Sequence, residues 1–414
     1  MIPKFYHIGI KLYGIVVRIA ALRNPKAKLW IEGRKNTFTY LEESIVKDKK
    51  LVWIHAPSLG EFEQARPLIK VLKKDYSEFK ILITFYSPSG YEIRKDYPLA
   101  DYICYLPLDT KENAKRFVEL VNPNFTFFVK YDFWANYLSE LQKREHKHYV
   151  ISAIFRSNQY FFKNHGAWML EILSKIDHFF VQNHDSKYML LTRNINQVNT
   201  TGDTRFDRVI DITNQAKDLP LLKLFKQDKP LFIGGSTWQK GEALIVEFSK
   251  HYGTRFKYVI APHELHSEQI VKLRNQFDLK VLLYSEATEQ NIETAEVLII
   301  DNIGLLSSLY AYADIAYIGG GFGKGIHNTL EAATFGMPIF MGPKNEKFQE
   351  AQDLKEIGVA LEIKSTKELI TQCDHLFARP EKWLDIKEKS KGYVQKKSGA
   401  TLKICKHVFK GYLA

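Results

Sequence analysis

Short apolar runs alternate with longer amphipathic segments from residue 51 onward. The apolar runs predict strands, and the segments between them, such as residues 61–73 and 111–120, predict helices. The first series of predicted strands is 51–56, 80–86, 124–129, 148–153 and 178–181, and the second is 231–234, 258–261, 281–284, 297–300, 315–318 and 338–341. Because strands that alternate with helices form parallel sheets covered on both faces, we predict an α/β fold of two doubly wound domains.

The polar segment 211–229, which contains Pro220 and is followed by Pro230, is the predicted hinge between the two series. We expect an amphipathic helix over residues 1–30, a first domain over 31–210, a second over 211–385 and a basic C-terminal helix over 386–414. A chain of 414 residues has room for about two or three domains of ordinary size, which agrees with this division.

The N-terminal segment contains no acidic residue before Glu32. Lys4, Lys11 and Arg18 are spaced by seven, so on a helix they form one basic stripe flanked by apolar positions, and Pro25 would end that helix. The cations interrupt the apolar run, which argues against both a signal peptide and a spanning helix of about 20 apolar residues. We favour a helix that lies on an anionic membrane surface, and the alternative is a buried amphipathic helix with a solvated basic edge.

Composition adds a charge surplus that needs an explanation. The chain has 59 Lys and Arg against 47 Asp and Glu, a formal net charge of +12, and a lysine-rich tail contributes to it. The surplus suggests an anionic membrane surface and its lipids, because no helix-turn-helix, zinc-finger or RNP-like pattern supports nucleic acid. With 45% hydrophobic residues, disorder is excluded. Three widely separated cysteines exclude a disulfide scaffold and a cysteine zinc site, and they indicate a reducing compartment, hence the cytoplasm.

The first motif with candidate chemistry, HAPSLGE, follows the first predicted strand. Gly60 permits a tight turn, Ser58 can cap the following helix, and Glu61 falls in the first helical turn. Glu61 is therefore either a favourable acid at a helix N-terminus or a carboxylate that acts as a general base.

Two further motifs follow strands of the second series. GGST, which contains Ser236 and Thr237, is predicted to form a strand-to-helix turn whose backbone holds a phosphate, although such turns also occur without a ligand. APHE, which contains Pro262 and His263, follows the next strand and by itself is a weak signal.

The glycine-rich segment 318–332 is the strongest of these signals, with five glycines in residues 319–325. It lacks the spacing of a P-loop and comes too late in the domain for a dinucleotide fingerprint. We expect it to open a helix on which His327 and Glu331, four residues apart, share a face. Such a loop can hold a sugar nucleotide, with the helix N-terminus toward the phosphate and Glu331 on the ribose hydroxyls.

Taken in order, these motifs resemble those of the 3-deoxy-D-manno-octulosonic acid (Kdo) transferases of lipopolysaccharide synthesis. The resemblance is carried by HAPSLGE, TGDTRFD (201–207), GGSTWQKGE (234–242), DNIGLLSSLYAYADIAYIGG (301–320), GIHNTLEAATFGMPIFMGP (325–343) and Phe348. It implies a GT-B fold with two Rossmann-like domains facing a central cleft. It also implies an inverting transfer of Kdo from CMP-Kdo to a lipid A precursor of the lipid IVA type, without a cofactor or a metal, at the cytoplasmic face of the inner membrane.

The resemblance also implies roles for individual residues. Glu61 would be the general base, and Ser236 and Thr237 would face the donor phosphate. The remaining CMP contacts carry over to Pro262, His263, Gly304, Leu305, Asn328 and Glu331.

The chain departs from the family pattern at three places. Where an acidic run is expected before a Trp-Pro-Asn sequence, the chain reads KYDFWAN, which begins with Lys130. An arginine expected near the donor phosphate is replaced by His263. An arginine-rich segment is reduced to SAIFRS, which contains Arg156. Lys130, His263 and Arg156 are candidates for compensating cations. With Ser58 and Gly60, Lys130 and Arg156 are our candidates for the acceptor side of the cleft.

Two alternatives stay open at this point. Another GT-B enzyme that uses a UDP-sugar would share the fold and the glycine loop. A non-catalytic basic lipid or nucleic-acid binder would account for the charge surplus without any chemistry.

Overall fold

The computed structural model describes residues 2–215 and 218–412. The chain divides into two compact units, Met1–Arg208 with Ser398–Ala414 and Val209–Lys397. Among the described residues, each unit contains one parallel sheet of seven strands, which confirms the predicted α/β class. The predicted hinge 211–229 holds parts of two helices, and its residues 216 and 217 lie outside the described residues.

The first sheet has the strand order β3-β2-β1-β4-β5-β6-β7, which begins as a Rossmann fold does. Its strands are β1 (Leu51–His55), β2 (Lys80–Phe85), β3 (Tyr102–Tyr105), β4 (Phe125–Val129), β5 (Lys147–Ala153), β6 (His178–Val181) and β7 (Val198–Thr200). The register places Val52 of β1 between Ile81 and Phe125 of its neighbours. All five strands predicted here are present, and the two that the sequence pattern missed, β3 and β7, are the edges.

The second sheet has the strand order β10-β11-β9-β8-β12-β13-β14. Its strands are β8 (Leu231–Thr237), β9 (Lys257–Pro262), β10 (Val281–Leu283), β11 (Val297–Ile299), β12 (Ile315–Ile318), β13 (Ile339–Met341) and β14 (Ala360–Glu362). Six of the seven were predicted, and the missed strand, β14, is again an edge.

Nineteen α-helices lie within the described residues and cover the sheets or flank them. They are α1 (Lys4–Ala20), α2 (Pro25–Glu32), α3 (Thr37–Ser44), α4 (Leu59–Asp75), α5 (Pro88–Arg94), α6 (Lys111–Val121), α7 (Ala135–Lys143), α8 (Ala167–Leu173), α9 (His184–Leu191), α10 (Arg205–Asn214), α11 (Pro220–Lys226), α12 (Gln239–Tyr252), α13 (Ser267–Arg274), α14 (Leu306–Leu309), α15 (Leu330–Phe335), α16 (Gln349–Glu356), α17 (Thr366–Phe377), α18 (Pro380–Lys397) and α19 (Ala400–Val408).

Successive residues of the central strands supply two different cores in the first unit. Trp53 and Phe128 belong to the core on one face of the sheet, whereas Ile54 and Phe127 belong to the core on the other. Because side chains alternate along a strand and both faces are covered, the strands consist of unbroken apolar runs. That is the pattern by which they were predicted.

The C-terminal tail differs from the single basic helix predicted over residues 386–414. It forms two helices, α18 in the second unit and α19 in the first, separated at Gly399, whose φ of 90° lies in the left-handed region that glycine tolerates. Helix α19 contributes Ile404 and Cys405, and the segment after it contributes Phe409, to the core of the first unit. Part of the tail therefore completes a core, while its lysines add to the positive charge.

The N-terminal helix α1 packs on the first unit through one face. Tyr6 donates a hydrogen bond of 2.6 Å to Asp109, and Gly14 lies so close to Leu108 that a β-carbon would be 2.9 Å from it. The opposite face presents Phe5, Ile8, Leu12, Ile15, Val16 and Ile19, all exposed. In the part of the chain that the structure describes, every helix falls short of the length and apolar character needed to cross a bilayer.

Candidate active site

Both groups of predicted site residues lie where ligands bind to parallel sheets. Such sheets bind ligands beyond the carboxyl ends of the strands, at the point where the strand order reverses. In the first sheet this point lies between β1 and β4, and Glu61 and Lys130 follow these two strands. In the second sheet it lies between β8, which ends at Thr237, and β12, which leads into the glycine loop.

In the first unit, Glu61 and Lys130 form a half-buried ion pair. The ammonium of Lys130 donates a hydrogen bond of 2.7 Å to Oε1 of Glu61, and the hydroxyl of Ser58 donates to Oε2. The side chains of Lys130 and Glu61 are 26% and 17% exposed. Solvent therefore still reaches a carboxylate whose two oxygens each already accept one hydrogen bond.

The surroundings of Glu61 act on its pKa in opposite directions. Burial of the carboxyl raises the pKa, whereas the charge of Lys130 and the hydrogen bonds from Lys130 and Ser58 lower it, and the net shift is downward. Glu61 is thus ionised at neutral pH, as a base must be. Its pKa lies on the acid side of the range near neutrality that best suits a general base.

Two predictions for the first motif are wrong in detail. The hydroxyl of Ser58 makes no capping bond to the backbone of α4, because it is turned toward Glu61 instead. Gly60 lies inside α4 rather than in a tight turn, and a β-carbon added at Gly60 would lie 3.8 Å from Oγ of Ser58, an ordinary contact. The backbone at Gly60 therefore does not require glycine, and its missing side chain leaves open space beside Glu61.

The backbone of Lys130 is strained. Its φ of 65° lies in the left-handed region, which a lysine seldom adopts and which costs about 1–3 kcal/mol. Strain of this kind concentrates at functional sites.

Arg156, the other predicted cation of this unit, follows β5 and is exposed, and its backbone amide donates a hydrogen bond to the side chain of Gln159.

A buried network that the sequence pattern did not predict lies beside this pair. His55 is fully buried, its Nδ1 is 2.8 Å from the Thr84 hydroxyl, and its Nε2 is 2.9 Å from Oδ2 of Asp132. A proton on Nε2 lets His55 donate to the carboxylate, and Trp134 donates to the same oxygen. The signal was available in the sequence, since His55 opens the first motif and Asp132 follows Lys130 by two residues.

The TGDTRFD motif, residues 201–207, connects elements of the first unit. Asp203 is buried and accepts a hydrogen bond of 2.9 Å from Gln64 of α4, the helix that begins beside Glu61. Asp207 accepts hydrogen bonds from the amides of Gly399 and Thr401 and so caps the N-terminus of α19. The described contacts of the motif are therefore structural.

In the second unit, a cavity of about 670 Å³ lies beyond the ends of β8 and β12. Its walls come from the start of α12, the end of β9 and the glycine loop. The lining residues are Thr237, Trp238, Gln239, Lys240, Gly241, Glu242, Pro262, Glu264, Gln269, Tyr317, Gly320, Phe322, Gly323, Lys324, Gly325 and His327. Of the predicted donor residues, Thr237 and Pro262 are among them.

The GGST segment does not form the predicted phosphate-binding turn. It belongs to β8, and Gly235 is buried so close to Tyr310 that a β-carbon would be 2.0 Å from the phenol oxygen. The hydroxyl of Thr237 donates to Glu242 at 2.9 Å, and burial raises the pKa of that carboxyl. Ser236, with a φ of 50°, is strained in the same sense as Lys130.

The glycine loop is longer than predicted, because α15 begins at Leu330 rather than before His327. His327 therefore lies in the loop and does not share a helix face with Glu331. Gly320, with a φ of 91°, allows the loop to turn back, and the amide of His327 donates to the Gly319 carbonyl at 3.0 Å. Helix α15 has six residues, so the loop itself, rather than the start of a long helix, forms this wall.

Three aromatic rings meet at the edge of this cavity. The rings of His263 and His327 stack with centroids 4.2 Å apart, and Trp238, which the sequence pattern did not predict, lies 4.8 Å from His263. The indole of Trp238 donates to Nε2 of His327 at 3.0 Å. Burial and the neighbouring His263 lower the pKa of His327 to about 4, so its imidazole is neutral at physiological pH.

Glu331 and Asn328 form a second group, outside the lining of the cavity. Oε1 of Glu331 accepts a hydrogen bond of 3.1 Å from the Asn328 amide, and Oε2 accepts one of 2.8 Å from Ser307. Ser307 follows the exposed Gly304 and the half-buried Leu305, so the structure brings these predicted residues together. Within residues 2–215 and 218–412, no three His, Cys, Asp or Glu side chains are close enough together to hold a metal ion.

Comparisons with known proteins bear on both the fold and the family that the motifs resemble. Residues 32–208 match the family model described as 3-Deoxy-D-manno-octulosonic-acid transferase (kdotransferase). The 3-deoxy-D-manno-octulosonic acid transferase of Aquifex aeolicus (strain VF5) is 27% identical over 84% of this chain and 92% of its own. Among solved structures, UDP-GlcNAc 2-epimerase from Neisseria meningitidis, bound to UDP-GlcNAc, covers 87% of this chain and 100% of its own at 16% identity, with a TM-score of 0.61. A glycosyltransferase from Rickettsia africae ESF-5 covers 88% and 98% at 14% identity, with a TM-score of 0.58.

The fold and the motifs at the two switch points define a glycosyltransferase of the GT-B class. The enzyme assignment removes the alternative of a non-catalytic binder. Within that class, the chain is similar to the Kdo transferases, whose family model matches residues 32–208 and whose members are among its curated relatives at 27% identity.

Proposed function

We propose that this enzyme transfers Kdo from CMP-Kdo to a lipid A precursor of the lipid IVA type, with Glu61 as the general base. Similarity to the Kdo transferases supports the donor sugar. The observation that carries the proposal is the ionised, half-buried carboxylate of Glu61 at the switch point of the first sheet. It combines access for a substrate hydroxyl with the capacity to accept its proton.

The proposed reaction is a single displacement. A hydroxyl group of the acceptor gives its proton to Glu61, its oxygen forms a bond to the anomeric carbon of Kdo, and the bond from that carbon to the phosphate oxygen breaks. CMP leaves with the bonding electrons. One displacement inverts the configuration at the anomeric carbon, and the ammonium of Lys130 lies 2.7 Å from the carboxylate that takes the proton.

The second unit is the proposed donor site. Glu331, held by Asn328 and Ser307, offers carboxylate oxygens to the ribose hydroxyls, and the cavity beside Thr237 and His327 has room for the sugar and phosphate. A cavity of about 670 Å³ is of the size that small-molecule sites commonly have. We propose no cofactor and no metal, on the basis of the family resemblance.

The deciding experiment is mass spectrometry of the lipid product after incubation with lipid IVA and a CMP-Kdo generating system. A mass increase of one or more Kdo units supports the proposal, and an unchanged lipid contradicts it. Thermal shift with CMP and with UDP tests the donor separately. Stabilisation by UDP alone would favour the UDP-sugar alternative.

We also propose that α1 lies on the cytoplasmic face of the inner membrane and holds the enzyme there as a peripheral or monotopic protein. Its exposed face carries apolar side chains three and four residues apart, opposite the face that packs on the first unit. Lys4, Lys11 and Arg18 lie along the edge between the two faces. This arrangement suits insertion of the apolar face among lipids while the cations contact anionic headgroups.

The membrane proposal predicts that I8E together with I15E abolishes sedimentation with phosphatidylglycerol vesicles and leaves the melting temperature nearly unchanged, because both side chains are exposed. L402E, at an exposed apolar position on α19, is the matched control and should still sediment. Binding that survives in the double variant, or that is equal on phosphatidylcholine vesicles, would contradict the proposal.

A further inference from the structure

The ion pair between Lys130 and Glu61 raises a problem for the proposed reaction. When Glu61 accepts a proton, its charge disappears, and Lys130 is left as a half-buried cation without its counter-charge. Loss of a charged partner in such a position is unfavourable, so the pair opposes the proton transfer that the reaction needs. The opposition is removed if a second anion binds Lys130 before the proton moves.

The two partners of Glu61 differ in their freedom to move. Ser58 lies three residues before Glu61, at the start of the same helix, so their relative position is fixed by the first turn of α4. Lys130 reaches Glu61 from the end of β4 through a long flexible side chain, and within the described residues its ammonium has Glu61 as its hydrogen-bond partner. The neighbouring acid, Asp132, is engaged by His55 and Trp134. Lys130 is thus the partner that can change.

The chemistry of the donor sugar supplies the second anion. Kdo is a 2-ulosonic acid, so its anomeric carbon is bonded directly to a carboxylate. The oxygen that Glu61 deprotonates is the oxygen that bonds to this carbon, and reacting atoms lie about 3–3.5 Å apart before they bond. The sugar carboxylate therefore comes within a few ångströms of Glu61 in the reacting complex, next to the ammonium of Lys130.

We propose that Lys130 binds the carboxylate of the transferred sugar and exchanges Glu61 for it, which leaves Oε1 of Glu61 free to take the acceptor proton. This inference rests on the proposed function and deepens it. Lys130 then selects acidic sugars over neutral ones, and it couples the release of the base to the arrival of the correct donor. The left-handed backbone of Lys130 is the local cost of placing its side chain there.

The test compares the wild type with K130M and K130R in the full-length enzyme, using lipid IVA in detergent and freshly prepared CMP-Kdo. The matched control is K73M, because Lys73 and Asp101 form an ion pair of the same length, 2.7 Å, with exposures of 29% and 14%. The rates are measured from pH 3 to 8.5, because the pKa of Glu61 in the free enzyme lies below its ordinary value. A second donor carries a carboxamide in place of the sugar carboxylate.

In the wild type, the acid limb of kcat should lie at higher pH than the acid limb of kcat/KM, because the first reports the complex and the second the free enzyme. K130M should remove this separation and raise KM for CMP-Kdo by at least about tenfold, as loss of a charge-assisted hydrogen bond does. K130R should retain both properties within a few-fold. The carboxamide donor should be poor for the wild type and no worse than CMP-Kdo for K130M.

If the acid limbs of kcat and kcat/KM coincide in the wild type, Lys130 does not exchange Glu61 for the sugar carboxylate, and this measurement needs no variant. If KM for CMP-Kdo is unchanged in a folded K130M, Lys130 does not bind the sugar carboxylate. K73M should match the wild type in every measurement, and a similar change in K73M would show a general effect of lost charge. These measurements distinguish a failure of the proposed role of Lys130 from a failure of Glu61 as the base. If E61Q remains active, the base is wrong, whereas an inactive E61Q with coincident limbs contradicts only the role of Lys130.

Discussion

The two switch points have the same place in their sheets but present opposite chemistry. At the first, a carboxylate and an ammonium face each other at 2.7 Å, and the pKa of Glu61 is held low. At the second, a cavity is lined by glycine backbone, the indole of Trp238 and a neutral His327, and the Thr237 hydroxyl donates to Glu242. The charged side chains of this lining are Lys240, Glu242, Glu264 and Lys324. The difference is what we expect if, as proposed, the first unit moves a proton and the second holds the donor.

Local structure explains why the same topology gives two kinds of site. In the first unit, α4 begins at Leu59, only a few residues after β1, so Glu61 is fixed in the first turn beside the sheet. In the second, eleven residues separate the end of β12 at Ile318 from the start of α15 at Leu330, and this loop encloses space. A short connection positions one side chain rigidly, whereas a long glycine-rich one forms a wall.

The largest expected effect comes from E61Q, which removes the base and keeps the shape of the side chain. We expect transfer to fall by about 10²–10⁴-fold, the usual contribution of a general base. The thermal shift produced by CMP should be unchanged, since the proposed donor residues belong to the other unit. Transfer near the wild-type rate would contradict the proposal that the first unit performs the chemistry while the second binds the donor.

The next effect is on the binding side. E331A should weaken CMP binding by about 10- to 150-fold, the equivalent of roughly 1.5–3 kcal/mol for charge-assisted hydrogen bonds. Isothermal titration calorimetry measures it, with E247A as the control, because Glu247 is an exposed acid of the same unit that pairs with Lys250. An unchanged affinity for CMP would remove Glu331 from the donor site.

The sequence pattern was sufficient for the centre of each sheet and for one edge strand, β10, but it missed the other three edges. Central strands are buried on both faces, so they appear as continuous apolar runs. The missed strands β3, β7 and β14 are short edge strands, and in β7 the apolar Val198 is followed by the exposed Asn199. The split of the C-terminal tail had a local signal, because a glycine such as Gly399 after a lysine-rich turn is typical of a helix end.

The site residues were predictable one by one, but their pairing was not. Glu61 and Lys130 are 69 residues apart, and they meet only because β1 and β4 are neighbours in the sheet. The position of His327 was mistaken because the helix starts three residues after it, where the side chain of Asn328 accepts a hydrogen bond from the Leu330 amide. Such local competition between side chain and backbone does not appear in a pattern of apolar positions.

A smaller effect is expected from S58A, which removes one of the two hydrogen bonds that hold the Glu61 carboxylate in its ionised form. The pKa of Glu61 should rise, so the acid limb of kcat/KM should move upward by less than about one pH unit. The loss of rate at pH 7.5 should be no more than a few-fold. G60A is the matched control in the same turn. If the acid limb of kcat/KM moves to lower pH in S58A, the hydrogen bond from Ser58 does not stabilise the ionised form of Glu61.

The smallest effect concerns the charge of His327. Its pKa of about 4 in the folded protein lies below the ordinary 6.5, so the unfolded chain binds the proton first as the pH falls. Stability should therefore decrease between about pH 6.5 and 4, and H327N should reduce this slope by an amount worth a few degrees in melting temperature. NMR titration of the histidine ring, assigned with H327N, measures the pKa directly. An imidazole that titrates near 6.5 would place a positive charge beside Trp238 at mildly acidic pH, and the neutral aromatic wall that distinguishes the second site from the first would be contradicted.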